Sequence, residues 1–591
     1  MENNPKDFYR NRISNLSTEL VAVKRKALAL AMLRLAVFLG MGLGLYFLSH
    51  SNLAIVLILV VGITSFLLLV SRSVNARLHK RFLEERISIN EKELRIFEGD
   101  LSDLDTGTEF IGEEHHFNQD IDLFGQGSVF QIINRTPLKT ARKRLADLLN
   151  SNSIDQIREK QEAIQELAQK AEWRQDFDAT AALIDQQIES SVISSWVQNY
   201  KAVIPNLFRF FPIVFFVCSM TLLGLYAFSI IGGHYVLLQF FLGATITGIY
   251  FKRISKLYHT ASKTKDTLSQ FSKLLQFIEN TDFESEILQK EKKRIEEGDK
   301  KASAILAGLS REINSLDQRN NILFTPFANG FALWDLRFSW RIERWIKSFE
   351  TTVENWFDAI DNFHAYNSLA NYAFNHPAHI YPEISDADGA LIEATQMGHP
   401  LLSPQNRIDN DFSIKREEFF IVTGANMAGK STFLRTIGVN IVLANNGLPI
   451  CAQHFIYKPI KLISSMRTTD SLMKDESYFF SELKRLKFIV EEIKTDEYFI
   501  ILDEILKGTN SVDKEKGSKK FVQKLLESDS TGIIATHDLS LCQLEEENKE
   551  IFNYYFDAEI KNDELHFDYR LKEGVCQNMN ASFLLKKMEI V

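Results

Sequence analysis

A glycine-rich stretch that follows the apolar run 419–423 has the composition and spacing of a phosphate-binding loop. It matches the pattern G-x-x-x-x-G-K-[ST], whose glycines let backbone N–H groups turn toward phosphate oxygens. Lys430 supplies a mobile cation for the β- and γ-phosphates, and Ser431 is placed to bind Mg²⁺. A helix predicted to start near Lys430 directs its positive end to the same point. The predicted nucleotide-binding residues are Gly424, Ala425, Asn426, Met427, Ala428, Gly429, Lys430, Ser431 and Thr432.

Two acidic residues, Asp503 and Glu504, directly follow a second apolar run, 498–502. An aspartate at the carboxyl end of such a strand can hold Mg²⁺, and a neighbouring glutamate can polarise the attacking water as general base. His537 follows a third apolar run, 531–535, and we expect it to sense the γ-phosphate. The pattern predicts an ATP hydrolase with ATP and Mg²⁺ as cofactors. The predicted catalytic residues are Lys430, Glu504 and His537, and the predicted Mg²⁺ ligands are Ser431 and Asp503.

The segments that must position these residues change character near Pro377. After it, short runs rich in β-branched and aromatic residues alternate with helical segments, which is typical of an α/β unit. Before it, apolar residues recur at helical spacing, as at Leu138, Ala141, Leu145 and Leu148. The sequence therefore predicts an α/β P-loop ATPase domain preceded by an all-α region.

Two long apolar stretches interrupt the helical region. Residues 35–49 and 53–71 carry no charge and are separated by the polar residues 50–52. Residues 210–251 also carry no charged side chain. As a single helix this stretch would be about 60 Å long, roughly twice the thickness of a bilayer core. It must therefore fold back, and Gly232-Gly233 is the obvious place.

Basic residues flank both apolar stretches. Residues 24–26 precede the first stretch, Arg72 and Arg77 follow it, and Lys252 and Arg253 follow the second. Because basic flanks stay in the cytoplasm, we expect two transmembrane hairpins with both termini and the ATPase domain inside. The predicted location is the inner cell membrane, multi-pass, with the lipid bilayer as a partner. Buried core helices of a large soluble protein are the alternative interpretation.

Composition and charge exclude several other classes. The formal net charge of −9 argues against a generally basic coat for nucleic acid, so any DNA-binding surface must be local. None of the four cysteines forms a C-x-x-C pair, which gives neither a zinc site nor a disulfide framework. We interpret them as reduced thiols in a protein that faces the cytosol.

The motifs resemble those of the MutS family of ABC-type ATPases. Residues 424–432 resemble the family's G-P-N-M-G-G-K-S-T, residues 502–509 its L-D-E-I-G-R-G-T, and residues 535–537 its A-T-H. Residues 397–402 resemble R-H-P-L-L, and weaker similarity begins at residues 121–170. The segment that begins at Arg467 and runs through residues 477–483 resembles the family's signature segment. The resemblance implies a homodimer in which the signature segment of one subunit completes the nucleotide site of the other. By this resemblance Ser477 approaches the γ-phosphate in trans, and Asn426 lies beside the nucleotide.

Departures from the family pattern bear on function. The N-terminal region has no mismatch-reading domain, and Phe82-Leu83-Glu84 fits the family's F-x-E only by letter. Where the family inserts a DNA clamp between two lever helices, this chain has the apolar residues 210–251. Leu506 and Lys507 replace the family's Gly and Arg, which affects the geometry after Glu504. The resemblance therefore indicates a membrane-anchored variant.

The predicted fold class is an ABC-type P-loop ATPase domain plus an all-α core and lever domain interrupted by transmembrane hairpins. We expect a polar N-terminal segment, the first hairpin, a linker helix and loop, the first core and lever part, the second hairpin, the second lever part and the ATPase domain. The corresponding ranges are 1–28, 29–72, 73–120, 121–205, 206–252, 253–375 and 376–591.

Two functions from different classes remain open. In the first, the protein is a MutS-like, ATP-dependent DNA-binding ATPase, related to mismatch repair and tethered to the membrane. In the second, it is a membrane-anchored ATPase that acts on an unidentified protein partner without DNA recognition. A substrate transporter is a weaker third possibility, because the spans contain almost no charge to form a polar path. Candidate DNA-binding groups are Lys139, Arg142, Lys143, Arg144, Lys252, Arg253, Lys256, Lys263 and Lys265.

Overall fold

The computed structural model of the chain describes residues 4–49, 51–112, 115–184, 189–297, 300–386, 389–467, 478–507, 509–561 and 564–577. Its first two thirds are helical, apart from a small antiparallel ribbon of β1 (Glu296–Glu297) and β2 (Lys300–Lys301). The helices there are α1 (Pro5–Phe47), α2 (Asn52–Phe97), α3 (Val129–Ile133), α4 (Lys139–Asn150), α5 (Ile157–Gln169), α6 (Ala171–Ala182), α7 (Ser190–Asn199), α8 (Phe211–Ala227), α9 (Gly233–Glu279), α10 (Glu286–Arg294), α11 (Ala302–Asp317), α12 (Phe324–Ala332), α13 (Trp334–Phe349) and α14 (Val353–Asn375).

The last third is built on two sheets. Its helices are α15 (Lys430–Asn445), α16 (Tyr478–Glu492), α17 (Ser511–Leu526) and α18 (Leu544–Glu547). Its strands are β3 (Glu383–Ile384), β4 (Ala390–Met397), β5 (Asn410–Lys415), β6 (Phe419–Gly424), β7 (His454–Tyr457), β8 (Lys461–Ser465), β9 (Tyr498–Asp503), β10 (Thr531–Ala535), β11 (Ile551–Lys561) and β12 (Glu564–Glu573). Short 3₁₀ turns cover Thr108–Phe110, Asn206–Arg209, Gln318–Asn320 and Leu539–Gln543.

The larger sheet brings the predicted site residues to one edge. Its strand order is β12-β11-β6-β10-β9-β8, and all its neighbouring pairs are parallel except β11 with β12. Ala535 pairs with both Val422 and Asp503, so β6, β10 and β9 end side by side. Their buried, β-branched and aromatic runs explain this arrangement, because parallel strands are covered on both faces. The smaller sheet has the order β3-β7-β4-β5.

Helix α14 is the central element of the helical part. Residues from Val353 to Asn375 are buried along most of its length, and it packs against α4, α5 and α10. Trp356 and Phe363 are among the largest fully buried side chains of the chain. The charge-rich stretch around α10 lies on this layer and places Leu288 in the core. The predicted helical regions at 121–205 and 253–375 are thus helical along much of their length.

The apolar stretches form two helical hairpins, each with an arm longer than the sequence predicts. Helix α1 joins the polar N-terminal segment to the first apolar arm without a break, and α2 continues beyond residue 72 to Phe97. The predicted boundaries at residues 28 and 72 therefore fall inside helices. In the second hairpin α9 begins at Gly233, as the glycine pair predicts. Among the described residues, α1, α2 and α9 are long and apolar enough to cross a membrane, and α8 is a shorter apolar helix.

Candidate active site

The phosphate-binding motif lies in the loop that joins β6 to α15. Gly424 has a φ of 148°, and a Cβ atom there would come within 2.7 Å of the carbonyl oxygen of Phe556 on the neighbouring β11. Gly429 has a φ of 106°, and α15 begins at the next residue. Glycine is required at both positions because other residues rarely adopt these angles and the space is closed. The loop is thereby held at the carboxyl edge of the sheet.

A cavity of about 420 Å³ opens above this loop. The strand ends bring together residues that are far apart in sequence, which is typical of ligand sites in α/β proteins. The cavity is lined by Asn426, Met427, Ala428, Gly429, Lys430, Ser431, Thr432, Asp503, Glu504, Lys507, His537 and Tyr569.

Lys430 is buried and points into this site. Its Nζ donates to the carbonyl oxygens of Gly424 at 2.9 Å and Ala425 at 3.0 Å, and it lies 3.3 Å from Nε2 of His537. Burial lowers the pKa of Lys430, and the negative charges of Asp503 and Glu504 oppose that shift. The amine lies beside an anion-sized hollow, which is the position that the sequence predicts for it.

Ser431 and Asp503 contact each other at the start of α15. The Oγ of Ser431 donates to Oδ2 of Asp503 at 2.5 Å. A hydroxyl and a carboxylate at this spacing are oxygen ligands of the kind that Mg²⁺ prefers, and Mg²⁺ commonly takes only one or two protein ligands beside phosphate oxygens and water. Within the described part of the chain no cluster of three or more His, Cys, Asp or Glu side chains could hold a metal ion. The Ser431 hydroxyl and the Asp503 carboxylate are donors that fit a nucleotide-bound Mg²⁺.

Glu504 is held in a left-handed backbone conformation, with a φ of 52°. Such a conformation costs on the order of 1–3 kcal/mol in a residue other than glycine and is common at functional sites. The Glu504 N–H donates to the carbonyl of Ala535 at 2.8 Å, which ties the residue to β10. Its carboxylate lies 3.7 Å from Nε2 of His537 and 3.8 Å from Nζ of Lys507.

His537 completes the polar wall of the cavity. Burial lowers the pKa of His537, and the charge of Lys430 lowers it further, against the opposing effect of the two acids. This shift favours the neutral imidazole, which can donate one hydrogen bond while accepting another. Lys430, Ser431, Asp503, Glu504 and His537, which the sequence predicts as catalytic residues or metal ligands, line this cavity together.

Two lining residues were not predicted as site residues. Tyr569 comes from the edge strand β12, has a φ of 53°, and its ring would lie 3.0 Å from a Cβ atom at Gly429. Nothing near Tyr569 in the sequence indicates this position, which depends on the pairing of β12 with β11. Lys507 was recognised only as a departure from a motif, although its spacing of three from Glu504 could have indicated it.

The predicted trans residue, Ser477, lies outside the described residues, as does most of the segment before α16. The described part of α16 nevertheless contacts the site loop. Glu482 is buried, and its two carboxylate oxygens accept from the backbone N–H of Lys507 at 3.3 and 3.1 Å. The segment that follows Ser477 is thus joined to the loop that carries Glu504.

A family model described as MutS domain V matches residues 420–587, which include the whole candidate site. The C-terminal part of the chain is a MutS domain V. Its match begins on β6, so the phosphate-binding loop, Asp503, Glu504 and His537 all lie within the family segment.

Relatives with curated names agree with this assignment. The chain is 33% identical to the DNA mismatch repair protein MutS of Aquifex pyrophilus over 205 residues, which are 33% of this chain and 23% of that protein. It is 29% identical to MSH4 of Arabidopsis thaliana over 233 residues, 38% of this chain and 28% of that protein. It is 27% identical to human MutS protein homolog 4 over 223 residues, which are 36% of this chain and 23% of that protein.

These matches cover only about a quarter of each relative's length. They support a mismatch-repair-related ATPase at the level of the family. The N-terminal region is not MutS-like, as expected for a variant of the family. The family model does not extend to residues 121–170, for which the sequence suggests a weaker resemblance. The similarity lies in the C-terminal part of the chain, after the helical region.

Proposed function

We propose that this protein is a membrane-anchored ATP hydrolase in which a MutS domain V drives motion of the helical region. The observation that carries the proposal is the convergence of Lys430, Ser431, Asp503, Glu504 and His537 around one cavity. Such an arrangement combines a phosphate grip, a Mg²⁺ position and a base for water, which are the parts that phosphoryl transfer needs.

In the proposed reaction, the residues of the cavity act on the γ-phosphate of ATP. Lys430 exchanges its bonds to the loop carbonyls for phosphate oxygens, which places its charge where negative charge develops. Ser431 and Asp503 would hold Mg²⁺, which when bound neutralises charge on the β- and γ-phosphates. Glu504 accepts a proton from the attacking water while the new O–P bond forms and the bond from the γ-phosphorus to the bridging oxygen breaks, giving ADP and phosphate. His537 is placed to donate a hydrogen bond to the γ-phosphate.

The aromatic ring of Tyr569 borders the same cavity and offers a surface on which a nucleobase can stack. The homodimer that the family resemblance implies remains a proposal, with Ser477 of the second subunit completing the site. Within one chain, the buried contact between Glu482 and the Lys507 amide joins α16 to the loop that carries Glu504.

Membrane attachment is proposed from the two hairpins. The apolar windows of α1 and α2 contain no buried residue, so none of their side chains is fully covered by other described residues of the chain. Burying such surface in hydrocarbon is favourable by about 25 cal/mol per Å². The inner membrane with the MutS domain V in the cytoplasm is the arrangement that the basic flanks favour.

Some of the candidate DNA-binding groups are paired with acids in the folded chain. Arg142 is paired with Asp105 and Glu109, and Lys265 is paired with Asp317. Paired in this way, these candidate DNA-binding groups are less available to phosphates than the sequence suggests. Homoduplex, mismatched and branched DNA tested with and without ATP would decide the point. Binding that falls steeply with salt would support the DNA-binding hypothesis, and no binding at low salt would exclude it.

The ATPase proposal is tested by replacing Lys430. We expect Lys430→Ala in the detergent-solubilised full chain to lose nucleotide binding and phosphate release, because Lys430 is the ammonium that the phosphate-binding loop itself holds at the cavity. Lys524→Ala, an exposed lysine of α17, serves as the matched control and should keep the wild-type rate. Equal phosphate release by Lys430→Ala and wild type would refute the proposal.

A further inference from the structure

A short apolar helix lies beside the second hairpin, and no sequence pattern singled it out. In α12 and the loop before it, the side chains of Ile322, Leu323 and Phe327 are exposed by 87%, 80% and 63%, and Phe324 is also exposed. We call these four residues the apolar ledge. Isolated exposed apolar residues are ordinary, but a contiguous group of this size marks an interaction surface.

The ledge is fixed rigidly to α9. A Cβ atom on Gly243 of α9 would lie 2.3 Å from the carbonyl oxygen of Gly330 in α12, so the two backbones are in direct contact. The ring of Phe240 packs against Phe327 at 6.2 Å and against Phe331 at 5.5 Å between centroids. Helix α12 therefore has one fixed position on the hairpin, and its ledge is part of the same surface.

The depth of this contact follows from helix geometry. Gly243 is ten residues beyond the start of α9, which corresponds to about 15 Å along the helix axis. Half of a bilayer core is also about 15 Å. If α9 crosses a bilayer, α12 contacts α9 near the middle of the bilayer core. The chain before α12 then lies toward the charged residues that follow Phe251.

A polar boundary lies where the ledge meets the helical body. The guanidinium of Arg319 lies over the rings of Phe251 at 5.4 Å and Tyr258 at 5.2 Å, and it pairs with the buried Asp335 at 3.6 Å. The indole N–H of Trp334 donates to the Ser315 carbonyl at 2.8 Å. Basic and aromatic residues of this kind gather at membrane–water interfaces. The ledge lies just beyond them in sequence, between Arg319 and Trp334.

The surface next to the ledge favours lipid as its occupant. Neighbouring exposed residues on α9, including Leu238, Phe241 and Leu242, are also apolar. The contact of Phe327 with Phe240 joins the ledge to this apolar part of α9. A soluble partner that covered the ledge would have to enter the same hydrocarbon layer.

We propose that the apolar ledge and α12 are embedded in the acyl-chain region of the cytoplasmic leaflet, as a wedge that enters the bilayer without crossing it. The proposal rests on the proposed membrane crossing of α8 and α9. Because α12 connects α11 to α13, any motion of these helices is transmitted to one leaflet only. The ligand is thus the hydrocarbon of a lipid bilayer, contacted at a fixed place on the moving part of the molecule.

The test uses the full chain in vesicles of phosphatidylcholine and phosphatidylglycerol. An environment-sensitive NBD probe is attached to an introduced cysteine, Leu323→Cys, in a Cys218→Ser background, because Cys218 is an exposed thiol and the other three cysteines are buried. Val214→Cys on α8 is the membrane reference, since Val214 is exposed on the apolar hairpin. Ser348→Cys, an exposed position of α13, is the aqueous control. Retained ATP hydrolysis confirms that each labelled variant is folded.

We expect the Leu323 probe to emit at shorter wavelength than the Ser348 probe and to lose intensity when the lipids carry brominated acyl chains. Quenching at Val214 without quenching at Leu323 would overturn the ledge proposal and leave the membrane crossing standing. A Leu323 probe shielded from water but insensitive to brominated lipid would also overturn it and indicate a second copy as the occupant. Absence of quenching at both positions would refute the membrane crossing and the ledge together.

Discussion

The two apolar hairpins are attached to the molecule in different ways. In the first hairpin the buried residues of α1 lie near its start, at Pro5, Tyr9 and Leu16, and those of α2 lie beyond residue 72. In the second hairpin the side chain of Gln239 donates to Ser219 at 3.0 Å within the apolar zone, and α12 packs on α9 there. One hairpin is thus held at its base and the other along its length.

This difference suggests a division of roles. The base of the first hairpin is locked to α14, where the Tyr9 hydroxyl donates to Asn375 at 2.7 Å and Glu93 receives hydrogen bonds from both Asn371 and Asn375. The second hairpin continues without a break into the helical body, because α9 is one helix from Gly233 to Glu279. We infer that the first hairpin anchors the chain, whereas the second moves with the body.

The largest expected effect comes from the base of the first hairpin. Burial acts to raise the pKa of Glu93, but the Arg135 charge and hydrogen bonds from Arg135 and the asparagines outweigh it and lower that pKa. Arg135→Ala would leave this buried carboxylate without its cation, which costs about 3–5 kcal/mol. Thermal unfolding in detergent measures the loss. Arg95→Ala removes an exposed pair with Asp103 and should cost about 0–1 kcal/mol. Equal losses of stability in the two variants would show that the buried pair at the base of the first hairpin does not hold it to α14.

A second prediction concerns close packing in the second hairpin. Gly243→Leu must push α12 away from α9, because the backbone of Gly330 occupies the space, and overpacking of this kind costs about 1–3 kcal/mol. A Cβ atom at Gly248 on the same helix or at Gly42 in the first hairpin meets no atom within 4 Å, so Gly248→Leu and Gly42→Leu serve as controls. The melting temperature should fall for Gly243→Leu alone. A similar fall in all three variants would remove the distinction between the hairpins.

A smaller effect is expected from pH at the scaffold that both hairpins share. Burial raises the pKa of Asp361 on α14 to about 7, against the hydrogen bond from Thr140. The folded state therefore favours the protonated acid, and its contribution is present below the unfolded pKa of about 4 and lost as pH rises through about 7. Asp361→Asn should be more stable than wild type at pH 8 but not at pH 4. Unfolding at the two pH values, with exposed Asp266→Asn as control, checks the sign; a gain independent of pH would contradict it.

The site residues that could be predicted from the sequence are those that belong to short local motifs. Lys430 and Ser431 follow glycines at fixed spacing, and Asp503 and Glu504 follow a buried strand, so local sequence determines where they lie. Tyr569 could not be predicted, because its place at the loop depends on the pairing of β11 with β12 and on a positive φ.

In the fold, too, features set by local sequence were predictable and features set by contacts distant in sequence were not. The turn before Gly233 was predictable because a glycine pair interrupts a run too long for one span. Helix α12 was not, since its nine residues are too few to span a bilayer and its role depends on contact with Gly243. The continuity of α1 was also missed, because the change from polar to apolar residues resembles a boundary although nothing in the sequence ends the helix there.

We propose that Glu504 activates water at a site where Lys430 holds the triphosphate. The most direct measurement compares ATP binding and phosphate release by wild type, Glu504→Gln and Glu546→Gln, an exposed glutamate used as control. The account predicts that Glu504→Gln binds ATP as wild type does and releases phosphate about 10²–10⁴-fold more slowly, as expected when a positioned base is removed. Phosphate release by Glu504→Gln at the rate of Glu546→Gln would contradict it.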